Sequence, residues 1–261
     1  MDLKTARNKK FPTTTSHQSR LQFYEPTKIP KGGVREISTP FGSARVEGRL
    51  GQGHADLMEA ISFYAESYTC MPNGTVEVLI DLYKVRVSMG GGKYYSYEGL
   101  FVRVKDVMKA IVEMTINLSG EHILCHLIER MEKSKEVRRN PLNSSAERNP
   151  WVVTFSKEYL QLLDNDLVIY YDPKPIARLS SGITQAIVRY LLTHKGEPNG
   201  GWILDNLFVS VGAYSPKKAQ VRKWRIRVKE DALNLLPLGF QLTEDSTGRL
   251  RLKKIPIPLG D

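Results

Sequence analysis

Between Lys217 and Lys229 the chain carries seven Lys or Arg residues (Lys217, Lys218, Arg222, Lys223, Arg225, Arg227 and Lys229) and no acid. A run of that density suits a polyanion, because each cation releases a counterion from a phosphate and arginine adds bidentate hydrogen bonding to base edges. Val221, Trp224, Val228, Ala232 and Leu235 recur through it at helical spacing. The pattern predicts a helix with one apolar stripe and cationic flanks, capped by Ser215, started by Pro216 and running to about Leu236. Like charges at i,i+4, Lys218 with Arg222 and Arg225 with Lys229, repel in water. Phosphates relieve that repulsion. Lys217, Lys218, Gln220, Arg222 and Lys223 fall in the half of the helix that enters a major groove, where Arg and Gln read bases and Lys meets phosphate.

Further along, Arg249, Arg251 and Lys253 alternate with Leu250 and Leu252, so a strand there would put three cations on one face as a wing over the backbone. An earlier segment offers a weaker version of the same chemistry. Lys93, Tyr94, Tyr95 and Ser96 would open a helix with Lys105 and Lys109 on its outer side. Arg138, Arg139 and Arg148 mark a hairpin tip, diluted there by Glu132, Glu136 and Glu147.

The elements that position these residues read as two copies of one order. A strand pair over Val34–Thr39 and Ser43–Leu50 precedes a helix near Gln52–Glu66, with Leu57, Ile61 and Tyr64 on one face. Val76, Val78 and Ile80 alternate as a strand does. Asp81 is placed to cap a helix over Leu82–Met89, and Ser96 one reaching about Met114. Strands at Glu121–Met131 and Trp151–Phe155 flank the charged tip. The order then returns as helices at Ser181–His194, Leu204–Val211 and the cationic segment, followed by a hairpin of Gln241–Thr243 and Arg249–Lys254. Tyr95-Ser96 and Val102-Arg103 echo Tyr214-Ser215 and Val221-Arg222 at equal spacing, with Gly92 and Gly212 just before. The reading is α+β, two tandem winged helix-turn-helix domains. Residues 34–175 form the first, which is also a candidate for dimerisation, and 176–254 the second. A basic flexible arm (1–33) precedes them and a tail (255–261) follows. Residues 1–35 hold eight bases and two acids, and Arg7, Lys9 and Lys10 of the arm are candidate phosphate contacts.

The composition agrees with an anionic partner. The 261 residues carry a formal charge of +10, and 41% are hydrophobic, enough for real cores. No apolar run approaches the roughly 18 residues of a membrane span, and the amino terminus is basic and polar rather than a signal peptide. Two cysteines, Cys70 and Cys125, make no disulfide framework, which points to a reduced cytoplasm.

Catalytic readings find no constellation. His122 and His126 face one side of a strand and Cys125 the other, so they do not converge on a metal. Gly90–Lys93 lacks the earlier glycine and the Ser or Thr of a phosphate loop. Tyr94 and Tyr95 as nicking nucleophiles would need a His-x-His pair, and none occurs. The expectation is a protein with no enzymatic activity, metal or cofactor.

Ala6-Arg7-Asn8-Lys9-Lys10-Phe11-Pro12, Gly92-Lys93-Tyr94-Tyr95-Ser96 and Val221-Arg222-Lys223-Trp224-Arg225, with the His122–Glu129 hairpin and the strand at Leu167–Ile169, resemble the TrfA family of plasmid replication initiators over nearly the whole chain. The resemblance implies two winged-helix domains that bind repeated origin sequences as a monomer, with dimers as a less active form. It implies host DnaA and DnaB as partners, and DNA contact by the Gly92–Ser96 junction and the helix holding Arg222, Lys223 and Arg225. It does not carry sliding-clamp binding across. The extension bearing the clamp peptide is not matched, and Gln18, Leu21 and Phe23 give only a loose Gln-x-x-Leu-x-Phe. The expected function is a double-stranded DNA-binding initiator acting at origin repeats. A transcriptional regulator of the same fold is the alternative, and a partitioning adaptor tethered to DNA a third.

Overall fold

The computed structural model describes residues 11–90, 96–117, 119–140, 143–165 and 168–256. Its first segment corrects the expectation of a flexible arm, because residues 11–33 are part of the folded body. Phe11 stacks on Phe155 with ring centroids 5.5 Å apart, and Leu21 and Phe23 are fully buried. Strand β1 (Thr14–Thr15) leads into the short helix α1 (Ser16–Arg20). Thr13 ties this start to the middle of the chain, donating from its backbone N to Ile169 O at 3.1 Å and from its Oγ1 to Tyr171 O at 2.9 Å. Three cations in and just after this segment are tied down as well. Arg20 donates to Thr193 O at 2.7 Å, Lys28 to Leu179 O at 2.6 Å and Arg35 to Gln22 O at 3.1 Å. Gln18 is buried with Leu21 and Phe23, so the loose clamp-type match is core rather than an exposed peptide.

The first unit comprises β2 (Val34–Thr39), β3 (Gly42–Glu47), α2 (Gln52–Phe63), β4 (Ala65–Cys70), β5 (Val76–Ile80), α3 (Leu82–Ser88), α4 (Tyr97–Lys109), β6 (Ile111–Ile116), β7 (His122–Cys125), β8 (Ile128–Lys133), β9 (Arg138–Asn140), β10 (Asn143–Arg148) and β11 (Trp151–Phe155). Both expected caps form. Asp81 Oδ1 accepts from Tyr83 N at 3.0 Å, and Ser96 Oγ accepts from Gly99 N at 3.0 Å. Each satisfies a backbone donor that the helix itself cannot.

The second expected helix stops five residues short of Met114. Ala110 takes extended backbone (φ −70°, ψ 139°), and β6 follows with Val112, Met114 and Ile116 buried on alternate positions. Those three line an antiparallel sheet ordered β2-β3-β6-β7, of which β6 and β7 are inserted between α4 and the wing. The expected single strand Glu121–Met131 is therefore two strands in two sheets, β7 in the meander and β8 beside β11.

After α5 (Lys157–Asn165), β12 (Val168–Ile169) pairs with β1, and α6 (Lys174–Ala177) leads to the second unit. That unit is α7 (Gly182–Leu192), β13 (Trp202–Ile203), α8 (Leu204–Ser210), α9 (Lys218–Glu230), α10 (Ala232–Leu235), β14 (Phe240–Glu244) and β15 (Leu250–Lys254). Its sheet order is β13-β15-β14, and the first unit shows the same permutation in β5-β11-β8, with β4 added at the edge. In both, the last strand inserts between the strand before the helix pair and the strand after it. The architecture is two tandem winged helices, α2-α3-α4 and α7-α8-α9 each with its sheet.

The repeat lies elsewhere than the echo noticed in the sequence. Val102 is 49% exposed, whereas Val221 packs against the second core. Burial instead matches Leu100 and Val107 of α4 with Val221 and Val228 of α9. The closer likeness is one element earlier, where Leu82-x-x-Val85-x-Val87-Ser88-x-Gly90 parallels Leu204-x-x-Leu207-x-Val209-Ser210-x-Gly212. Gly90 (φ 105°) and Gly212 (φ 77°) both leave their helices through left-handed backbone, which a side chain disfavours.

The buried apolar residues form two clusters, one spanning Phe11–Leu163 and the other Ile176–Leu252. Between them run α2 and α7, equivalent helices that pack on each other. Gln52, Asp56 and Glu59 recur at helical spacing along α2, and Gln185 and Arg189 along α7; all five are buried. Arg189 donates to Asp56 Oδ1, Glu59 Oε1, Glu59 Oε2 and Gln52 Oε1, each at 2.7 Å. The polar stripes are thus each other's partners, as buried charges require. Residues 27–28 press on Gly182, where a Cβ would lie 2.7 Å from Lys28 N. Only glycine leaves room there.

Candidate nucleic-acid interface

The apolar stripe anchors α9 as its spacing predicts. Val228 is fully buried, Val221 and Trp224 pack against the second core, and Trp224 meets Phe208 of α8 at 5.5 Å between centroids. The helix nevertheless starts later than expected. Lys217, without a side-chain cap, precedes the first helical residue, Lys218. Ser215 Oγ accepts from Lys217 N at 3.2 Å, holding the turn that enters the helix. At the other end Asp231 interrupts the run before α10, because its carboxylate turns inward to accept from Ser180 N at 2.8 Å and Ser181 N at 3.2 Å.

With the stripe buried, the cations face outward. Lys217, Lys218, Arg222, Lys223, Arg225, Arg227 and Lys229 are all exposed, and Gln220 is half-buried. Two of these are engaged within the fold. Arg225 Nε donates to Asp205 Oδ1 at 2.8 Å, with its Nη2 on the other carboxylate oxygen, and that pairing raises its pKa further. Arg227 pairs with Glu230 at 3.0 Å. Arg222, Lys223, Lys217, Lys218 and Lys229 have no ion pair among the described residues.

A groove of about 650 Å³ separates α9 from the wing β14-β15, lined by Arg222, Arg225, Ile226 and Lys229 on one side and by Glu244, Gly248, Arg249 and Leu250 on the other, with Asp205 and Asn206 at its floor. The wing turn is pre-shaped. Asp245 accepts from Thr247 N at 3.0 Å, Thr247 Oγ1 at 2.7 Å, Arg249 N at 3.0 Å and Arg251 Nε at 2.8 Å. These bonds, the one from Thr247 foremost, hold its carboxyl well below the usual range. Arg251 is consequently a strut of the wing, donating also to Gly201 O at 3.3 Å. Arg249 is exposed and Lys253 half-buried. Lys229 and Asn206 were not among the expected contacts. Lys229 stands four residues beyond Arg225 on the same flank, a spacing visible in the sequence; Asn206 carries no such signal.

In the first unit Lys105 and Lys109 are exposed on α4, and Ser96 is engaged as its cap. Lys93, Tyr94 and Tyr95 lie outside the described residues, as do Arg7, Lys9 and Lys10. The wing of this unit is largely neutralised. Arg138 pairs with Glu136 at 2.6 Å and also with Glu66, and Arg148 pairs with Asp81 at 2.9 Å. His122 and Cys125 point to opposite sides of β7, exposed and buried respectively. No helix among the described residues is long and apolar enough to cross a membrane.

Two winged helices in series, with a strongly cationic third helix in the second, define a tandem winged-helix protein. The chain is similar to a crystal structure of domains 2 and 3 of RctB, with a TM-score of 0.61 over 93% of this chain and 99% of that one, at 9% identity. A second crystal structure of RctB domains 2–3 aligns with a TM-score of 0.55 over 91% and 95% of the two chains, also at 9% identity. No protein-family model and no curated protein sequence matches the chain.

Proposed function

We propose that the protein is a sequence-specific, double-stranded DNA-binding replication initiator of a plasmid or similar mobile element, without enzymatic activity of its own. The observation that carries this reading is the cationic face of α9, five of whose cations have no ion pair among the described residues, beside a pre-shaped wing, on a fold shared with domains 2 and 3 of RctB, a replication initiator of Vibrio chromosome II. Arg222 and Gln220 read base edges, Lys217, Lys218, Lys223, Lys229 and Arg249 take phosphates, and α4 with Lys105 and Lys109 makes the lesser contact.

The packing supports simultaneous engagement of both units. α4 packs on α2, α2 on α7 and α7 on α9. Packed helices lie about 8–10 Å apart, so three contacts in series hold the α4 and α9 axes within about 30 Å, close enough for one duplex to meet both. Binding direct repeats beside an AT-rich segment then strains the duplex toward opening. In keeping with the TrfA resemblance, DnaA and DnaB complete the process, and a dimer is the less active form.

Footprinting on the origin of the replicon that carries the gene tests this. Several in-phase protected repeats with permanganate-reactive thymines are expected. One protected operator without melting makes the protein a transcriptional regulator instead, and no specific site makes it an adaptor.

A further inference from the structure

We propose that Arg86, held between Tyr97 and Tyr83, is a DNA phosphate-binding residue of the first unit; this rests on the DNA-binding function proposed above. Arg86 lies on α3, the helix that precedes the recognition helix, and its Cζ sits 4.7 Å from the Tyr97 ring centroid and 5.8 Å from that of Tyr83. Both tyrosines are exposed, at 44% and 39%. Tyr97 is the first residue of α4, so the guanidinium stands at the amino-terminal end of the recognition helix, where a helix-turn-helix meets the DNA backbone.

The position is unusual in two respects. In the parallel helix α8 it is Phe208, which is buried and meets Trp224 in a tilted pair with centroids 5.5 Å apart. The second unit closes its helix corner with an aromatic pair; the first puts an arginine into that corner. Four other arginines of this unit are neutralised, Arg45 by Glu47, Arg130 by Glu77 at 2.9 Å, Arg138 by Glu136 at 2.6 Å and Arg148 by Asp81 at 2.9 Å, while Arg49 is exposed away from this corner's tyrosines. Arg86 has no carboxylate partner among the described residues, and its Nε is buried with no hydrogen-bond acceptor.

A buried guanidinium N–H without an acceptor is costly to keep. The nearby tyrosine rings compensate through cation–π attraction. A planar fork with open donors and no competing acid matches a phosphate, which accepts two parallel hydrogen bonds. With Nε buried, it is the two terminal Nη groups that a phosphate meets, and the contact lends the first unit a hold on the DNA backbone that its neutralised wing does not provide.

The test is salt-dependent binding of the full chain to a fluorescent 30-base-pair random-sequence duplex. Each lost phosphate contact reduces the slope of log K against log[salt] by about 0.9. Arg86→Gln is expected to lower the slope by about that amount and to weaken binding about five-fold at 150 mM salt. Tyr97→Leu, which keeps the charge and removes the ring, is expected to weaken binding about two-fold with the slope unchanged. An Arg86→Gln protein with the wild-type slope overturns the proposal, and a lower melting temperature with that same slope assigns Arg86 a structural role alone. If Arg86→Gln does not fold, Tyr97→Leu decides, and wild-type affinity in that variant overturns the clamp. Failure of the wild-type chain to bind any duplex overturns the DNA-binding function itself, an outcome distinct from these.

Discussion

Arg189 and Asp56 sit 2.7 Å apart across the seam between the two winged helices, with side chains 4% and 0% exposed. Glu59, also buried, holds the other side of the same guanidinium. Burial disfavours the charge, yet Glu59 and Asp56 outweigh it and keep the Arg189 pKa well above its ordinary value. The two units are thereby locked in one relative placement by a cluster that works only when complete.

Removing the cation should therefore be severe. Arg189→Met leaves two carboxylates facing each other out of water and is expected to cost about 3–5 kcal/mol in urea denaturation. Adding Asp56→Asn and Glu59→Gln to the same protein should restore most of that loss. A single-variant loss below about 1 kcal/mol would show that water reaches the seam.

Arg222 and Arg225 are three residues apart yet should behave differently. Arg222→Ala is expected to cost about 1–3 kcal/mol on the cognate site and less on random DNA. Arg225→Ala should cost less on either, because Asp205 already holds that guanidinium. Asp205→Asn, which releases it, is expected to tighten binding to random duplex DNA. Equal losses on both DNAs for Arg222→Ala would reduce that residue to a phosphate contact.

Stability should fall on mild acidification. Burial lowers the pKa of His54, against the opposing pull of Asp106 at 3.4 Å, and burial lowers that of His194 as well. The unfolded chain then binds protons that the folded chain refuses, so stability is full above about pH 6.5 and declines as pH falls from there toward the folded-state values. Urea midpoints at pH 7.5 and 5.5 measure this, and His54→Gln should flatten part of the difference. An unchanged slope in that variant would remove His54 from the account.

The thiols should separate cleanly. Cys70 is exposed, while burial pushes the Cys125 pKa up to about 12, leaving almost no thiolate at neutral pH. Ellman's reagent should titrate one thiol in the native protein and the second only in denaturant. Two fast thiols would mean that β7 opens readily.

Much of the helical framework was legible because it rests on local signals. Asp81 and Ser96 cap where their side-chain chemistry predicts, and the Val221–Trp224–Val228 stripe packs inward as its spacing requires. The failures have physical causes too. Leu100, Val104, Val107 and Ile111 keep helical spacing past Lys109, while Val112, Met114 and Ile116 keep strand spacing. Both patterns run through Ala110, and partners in β3 and β7, distant in sequence, decide between them. Gln52, Asp56 and Glu59 have the look of a solvated face until α7 supplies Arg189. At the candidate interface the cations were plain in the sequence; that Arg225 and Arg251 are already held by acids was not, since Asp205 and Asp245 reach them only through the fold. Arg86 carries no such signal, because a lone arginine on a short helix has no pattern.

The pairing of β1 with β12 has a consequence for the order of synthesis. Thr13 bonds to Tyr171, 158 residues later, so the beginning of the chain leaves the ribosome long before its partner exists. At about 5–20 residues per second that interval is roughly 8–30 s. Throughout it Phe11, Leu21 and Phe23 lack a strand to hold them in place. Residues 11–23 are among the last to settle, and a nascent polypeptide released before residue 169 would display those three side chains to whatever chaperone meets it first.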